Sequence, residues 1–149
     1  LNILSKLDIE TTIATRTQPT ILFFFSREFK RLFTKITTTN KLVAASAAAQ
    51  SSQAIILLKG ARTVIAGGDG RSIVIPNSTP ALARGGSGDV LTGLIATNSQ
   101  PDPDLSEVVA TAAWWHSQAG ILAARERGDL GVDPLTLTQY LTTVIHATK

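Results

Sequence analysis

The 149-residue chain contains no cysteine and no methionine. Without thiols it forms no disulfide and carries no thiolate nucleophile. That fits a reducing compartment, and a cytoplasmic location is the expectation. Histidine occurs twice, at His116 and His146, with no Asp or Glu at ligand spacing beside them. A structural zinc site is thereby excluded. Long apolar runs are missing too: no segment approaches the roughly 20 residues that span a bilayer. The N-terminus has neither the charged nor the apolar region of a secretory signal. With no initiator ahead of Leu1-Asn2-Ile3-Leu4, the sequence reads as a fragment or a processed piece. Charged residues make up 17%, aromatic residues 5%, and the net charge is +3. The tightest basic group, Arg27, Lys30, Arg31 and Lys35, is spaced like one solvated helix face. Nucleic-acid binding needs clustered bases with interleaved aromatics, and neither is present.

What the chain does have is apolar residues in a helix-and-strand pattern. At 44% hydrophobic it has enough for one domain with one core. Ile21-Leu22-Phe23-Phe24-Phe25 and Ala54-Ile55-Ile56-Leu57-Leu58 are short continuous apolar runs that suit buried strands. Phe23 to Phe25 read as strand core. The Ala-rich segment Lys41 to Gln50 between the runs favours helix. Strand, helix, strand is the parallel crossover unit. Thr63 to Ala66 and Ser72 to Ile75 flank Gly67-Gly68-Asp69-Gly70 and predict a hairpin. A helix follows Asp89, and the chain breaks at Pro101 to Asp104. Asp104 with Glu107 three residues on forms a capping arrangement for a helix running to about Arg127. Val108, Ala112, Trp115, Ala119 and Leu122 mark its expected buried stripe. Trp114 and Trp115 read as core, and His116 as a satisfied structural histidine. Gly128 stops this helix, and Asp133-Pro134 starts the last one with Pro at its first position. The fold class is α/β.

The most informative stretch is Ala83-Arg84-Gly85-Gly86-Ser87-Gly88-Asp89-Val90-Leu91. A glycine-rich turn at a helix start leaves backbone N–H groups bare and convergent. The helix dipole adds partial positive charge, so the spot suits phosphate. Asp89 at its rim can orient or deprotonate a hydroxyl beside that anion. The competing reading is a tight turn with an Asp cap. In open α/β sheets ligands bind beyond the carboxyl ends of the strands. Lys59-Gly60-Ala61-Arg62-Thr63 directly follows the strand ending at Leu58. Lys59 offers an ammonium, Gly60 a close backbone approach and Thr63 a hydroxyl. The alternative there is a strand-end turn with a snorkelling lysine. Neither a P-loop nor a Rossmann fingerprint fits the glycine spacing.

Leu58 to Thr63, the run Asn77 to Gly93, the helix Ala112 to Gly120 and Gly131-Val132-Asp133 together resemble the ADP-dependent NAD(P)H-hydrate dehydratases, particularly those of cyanobacterial type. Leu1-Asn2 is similar to the end of that family's Asp-Ala-Asp-x-Leu-Asn segment. The resemblance implies a ribokinase-like three-layer sandwich, represented by its C-terminal half. The family domain is about twice as long as this chain, judged by ordinary domain sizes. Residues 1–149 would be one partial domain lacking its N-terminal half. The implied activity is dehydration of the S-form of NADHX or NADPHX to NADH or NADPH, with ADP (ATP in eukaryotic members) as phosphoryl donor. Carried over by position, Lys59, Gly60, Ala61, Arg62, Thr63, Gly85, Gly86, Ser87 and Gly88 would hold the nucleotide. Asp89 would be the base, and Asp89, Glu28 and Asn2 would touch the hydrate. Mg²⁺ suits such a transfer, although no ligand cluster is legible.

The chain departs from the family at Phe23-Phe24-Phe25-Ser26-Arg27-Glu28, where the family has Thr-Pro-His-x-Gly-Glu. Phe25 replaces its substrate-contacting His, and Glu28 is retained. A second departure is Asn98-Ser99-Gln100, where the family continues with a Gly-rich apolar turn. The partners implied are the hydrated dinucleotide and ADP, with no nucleic acid and no membrane. A homo-oligomer, or another chain supplying the missing half, would cover an exposed strand edge. The alternatives are a ribokinase-like small-molecule kinase, or a non-catalytic nucleotide-binding or interaction fragment.

Overall fold

The structure, a computed structural model, describes residues 6, 8–98 and 104–147. The chain divides into two compact units, Leu1–Val74 and Ile75–Lys149. Among the described residues no helix is long and apolar enough to cross a membrane.

The first unit runs α1 (Ile9–Ala14), β1 (Ile21–Phe24), α2 (Ser26–Leu32), α3 (Lys41–Ser52), β2 (Ile55–Leu58) and β3 (Thr63–Ala66); β4 (Ser72–Ile75) crosses its boundary. The four strands form one sheet in the order β1-β2-β3-β4. β1 pairs parallel with β2, Phe24 opposite Leu58. β2 pairs antiparallel with β3. The expected parallel crossover is therefore present, with α2 and α3 both lying between its strands in sequence. The apolar runs become strands because β-branched and large apolar side chains fit a pleated surface covered by helix. Ile56, Leu57 and Leu58 are buried on successive sides of β2. α3 is started by Asn40, whose side-chain oxygen accepts from Leu42 N (3.0 Å) and Val43 N (3.2 Å). Its buried residues are Ala44, Ala45, Ala48, Ala49 and Ser52, small enough to bring the helix close to β2 and β3. The hairpin turn closes with Gly67 N–H donating to Arg71 O (3.0 Å), and Asp69 pairs with Arg71 at 2.6 Å.

One strand reading needs correction. β1 ends at Phe24, not Phe25. Phe24 is fully buried, Phe23 is half-buried and Phe25 is 49% exposed. The reason is local: Phe25 N–H donates to the Glu28 carboxylate (2.8 Å), so the backbone turns into α2 there. Phe24, Phe29 and Phe33 then cluster, with ring centroids 5.0 to 6.1 Å apart. Arg27, Lys30 and Arg31 lie exposed on α2, as the spacing predicts, while Lys35 falls beyond its end.

The second unit holds a 3-10 turn at Pro80–Leu82, α4 (Ser87–Asn98), α5 (Leu105–Arg127), another 3-10 turn at Asp129–Gly131, and α6 (Pro134–Ala147). Asp104 caps α5, accepting from Glu107 N at 3.3 Å. Gly128 ends it with φ +72°. α6 starts at Pro134, and Asp133 accepts from Thr136 N at 2.7 Å. Ala81, Ala119, Ala123, Val132, Leu137, Tyr140 and Val144 form the core. A Cβ at Gly120 would meet Leu82 Cδ2 at 2.7 Å, so the 3-10 turn sits directly on α5.

Three helical readings shift. α4 begins at Ser87 rather than Asp89, which lies in its first turn. The buried face of α5 keeps Ala112 and Ala119 of the expected stripe and adds Val109, Ala110, Ala113, His116, Ser117, Gly120 and Ala123, so its centre is rotated by roughly the 100° of one residue. Val108, Trp115 and Leu122 flank it, half-buried. Trp114 is 40% exposed rather than core, because the tightest packing falls on small residues and leaves the bulky rings outside. Trp115 keeps a hydrogen bond, Nε1–H to Leu141 O at 2.6 Å.

Truncating Phe29, which is fully buried in the phenylalanine cluster, is expected to cost about 3–5 kcal/mol. Urea unfolding followed by circular dichroism checks this for Phe29→Ala, and an unchanged midpoint would contradict the packing. The Thr136 hydrogen bonds hold the Asp133 carboxyl below its usual range. A depressed carboxyl stabilises the fold above its unfolded pKa and loses that effect as pH falls through the folded value. The stability gap between wild type and Asp133→Ala should therefore close on acidification below the ordinary Asp range. A gap constant with pH would show that the carboxylate is not the cap.

Candidate functional site

The glycine turn lies wholly in the second unit. Its amides divide into two sets. Ser87 N–H donates to Arg84 O (3.3 Å), Asp89 N–H to Gly86 O (3.0 Å) and Val90 N–H to Gly86 O (3.2 Å). Among the described residues, the amides of Gly85, Gly86 and Gly88 make no hydrogen bond. Three donors at the start of a 12-residue helix are therefore unused by the chain. Such groups, with the helix dipole behind them, favour an anion.

The turn is held from three sides. Gly86 has φ +89°, a conformation that L side chains rarely adopt. A Cβ there would also meet Pro134 Cγ at 2.6 Å, so the start of α6 is packed on the turn. Arg84 reaches back to the Leu130 and Val132 carbonyls, donating from its two terminal nitrogens at 3.0 Å each. Ser87 is buried, and His116 on α5 meets it twice: Nε2 donates to Ser87 O at 2.9 Å and lies 3.2 Å from Ser87 Oγ. His116 is thus a satisfied buried histidine, as read from the sequence, but its partner is the glycine turn itself. Arg84 was legible as part of the motif; its clamp on residues 46 and 48 positions away was not.

Asp89 sits in the first turn of α4 and is exposed. Among the described residues its carboxylate has no hydrogen-bond or ion-pair partner. It is therefore open to a ligand hydroxyl or to water.

Lys59–Thr63 lies in the first unit, between β2 and β3. Gly60 has φ +146°, which favours glycine, and the ammonium of Lys41 lies 2.9 Å from where its Cβ would be. Lys41 donates to Arg62 O at 2.5 Å, and burial pushes its pKa down. Thr63 Oγ1 donates to Gly60 O at 3.3 Å, so its hydroxyl proton is used within the loop. Ala61 and Arg62 are exposed. The Lys59 ammonium stands 4.1 Å from the centroid of the Phe25 ring. Glu28, expected at the hydrate, accepts from the Phe25 amide through one carboxylate oxygen. Asn2 lies outside the described residues. A shallow open depression of about 360 Å³ in the same unit is lined by Lys30, Phe33, Lys35 and neighbouring threonines, none of them a predicted site residue. Among the described residues no three His, Asp or Glu side chains are grouped to hold a metal.

A family model described as NAD(P)H-hydrate dehydratase matches residues 2–143. The bifunctional NAD(P)H-hydrate repair enzyme Nnr of Synechocystis is 53% identical over 143 residues, 95% of this chain and 27% of that protein. A Bacillus subtilis ADP/ATP-dependent NAD(P)H-hydrate dehydratase, co-crystallised with ATP/Mg²⁺ and soaked with CoA, superposes with a TM-score of 0.79 at 30% identity. That match covers 92% of this chain and 54% of the other. A ribokinase-like superfamily protein of Enterococcus faecalis superposes with a TM-score of 0.74 at 26% identity. The chain thus spans about a quarter of the first relative and half of the solved dehydratase. With an α/β fold of ribokinase-like type and a family match running from residue 2 to residue 143, it belongs to the NAD(P)H-hydrate dehydratase family.

Proposed function

We propose that the chain is part of a nucleotide-dependent NAD(P)H-hydrate dehydratase, and that the turn Gly85–Asp89 is its phosphate-facing end. One observation carries the reading: the unused amides of Gly85, Gly86 and Gly88 stand beside the open carboxylate of Asp89. The substrate would be hydrated NADH or NADPH, with ADP or ATP as donor, as the names of the relatives suggest. Residues 1–149 would then form one partial domain of the whole enzyme.

The reaction divides the work between charge and proton transfer. The hydrate hydroxyl attacks the terminal phosphorus of the donor, and the bridging P–O bond breaks to release AMP from ADP. Asp89 accepts the hydroxyl proton. Phosphate then leaves the ring together with a ring proton, which restores the double bond. The loop amides stabilise charge on the transferring group and need no reorganisation to do so. Arg84 keeps them in place through its two carbonyl contacts. The family resemblance gives Lys59 and Gly60 to Thr63, in the first unit, a nucleotide-binding role of their own. Mg²⁺ would come with the nucleotide; among the described residues no three His, Asp or Glu side chains are grouped to hold it. It would screen phosphate charge; every proton and backbone contact described above is the chain's own.

A small-molecule kinase would use the same turn and the same Asp. Family membership favours the dehydratase, and the product separates the two: recovered NADH for one, a stable phosphorylated metabolite for the other.

Calorimetry with ADP and Mg²⁺ is expected to show binding by the folded chain. Phe25 occupies the family's His position, so recovery of NADH from its hydrate is expected to be slow. Asp89→Asn should lower that recovery about a hundred-fold or more, as loss of a general base does, while ADP binding persists. Absence of ADP heat from a folded sample, or unchanged recovery in Asp89→Asn, would contradict the reading. Gly86→Ala should weaken ADP binding and cost about 1–3 kcal/mol of stability, because a strained φ and the Pro134 clash must both be relieved. Equal unfolding midpoints and equal ADP affinity would refute that role for the turn.

A further inference from the structure

In the parallel pair of β1 and β2, Phe24 is opposite Leu58, and Lys59 N–H donates to Phe24 O at 2.7 Å. The register therefore places the next residues, Phe25 and Lys59, side by side at the carboxyl ends of two adjacent parallel strands. That is where ligands enter open α/β sheets. Phe25 is 49% exposed, so burial of its ring does not explain its place. Its backbone is fixed by the Glu28 carboxylate and its ring face lies under the Lys59 ammonium, 4.1 Å from the centroid.

We propose that Phe25 is a positioning residue for Lys59, its ring holding the ammonium above the strand ends for the phosphates of a nucleoside diphosphate. This rests on the nucleotide reading above and adds a residue to it. An ammonium on a four-carbon stem loses rotamer freedom when it grips an anion. A ring already holding it by cation–π attraction removes part of that loss before the ligand arrives. Where the family has a hydrogen-bonding His, this chain has a residue that shapes charge instead.

The experiment is a double-mutant cycle read by ADP affinity in the presence of Mg²⁺. Phe25→Leu should weaken ADP binding about two- to five-fold, the range expected for an exposed cation–π pair. Phe25→Tyr should restore affinity, because it keeps the ring face. In a Lys59→Met background, Phe25→Leu should have no further effect. Unfolding midpoints should stay within error for Phe25→Leu, since the ring is half exposed. A ring-current shift of the Lys59 ε-methylene protons should be present in wild type and lost in Phe25→Leu. ADP binding by wild type with no loss in Phe25→Leu, or an equal loss in the Lys59→Met background, would overturn the positioning role alone. No ADP binding by folded wild type would overturn the nucleotide reading and this role with it. An unshifted Lys59 signal in wild type would overturn the pairing itself.

Discussion

The bond between His116 and Ser87 is the constraint on which the glycine turn depends. A buried imidazole cannot leave its N–H unpaired without a substantial desolvation cost. It finds the Ser87 carbonyl at 2.9 Å, and this ties the first residue of α4 to the middle of α5. The remaining freedom of the turn is taken up at its two ends. Arg84 anchors one through the Leu130 and Val132 carbonyls, and Pro134 fills the space beside Gly86. A turn built only of glycines would sample many conformations. Held this way, it keeps the Gly85, Gly86 and Gly88 amides available in one arrangement.

In the first unit the organising constraint is strand register. Parallel pairing of Phe24 with Leu58 sets which residues emerge together at the strand ends. It also decides that Phe25 leaves the sheet while Phe24 stays in the core. A one-residue slip would exchange those roles, since strand side chains alternate between faces. The phenylalanine cluster works against such a slip, because Phe24 is locked against Phe29 and Phe33. The burial of Phe24 and the exposure of Phe25 thus share one cause.

Much of this was legible in the sequence where local rules act alone. The apolar runs became β1 and β2, the Asp-Gly turn joined β3 to β4, and Asp104, Gly128 and Asp133-Pro134 bound the helices as their capping chemistry requires. The glycine turn and Asp89 were legible as a motif with a family resemblance. What escaped depends on contacts distant in sequence. Nothing near Arg84 announces that it bonds Leu130 and Val132, and nothing near His116 announces Ser87. The rotated face of α5 escaped for a related reason. Large apolar residues dominate a periodicity count, whereas close helix packing adds Ala113, Gly120 and Ala123 to the expected Ala112 and Ala119. The start of α4 moved to Ser87 because its side chain is buried against α5, a preference that overrides the capping tendency of Asp89. Phe25 was misassigned because an apolar run does not mark where Glu28 will turn the backbone.

The account stands or falls on the three unused amides at the start of α4. Titration of the ¹⁵N-labelled chain with ADP and Mg²⁺, followed by amide NMR, reads them one by one. The account predicts saturable shifts at Gly85, Gly86 and Gly88, larger than those of Ser87 and Val90, whose amides already bond within the chain. Shifts confined to other parts of the chain, with those three glycines silent at saturating ADP, would contradict it.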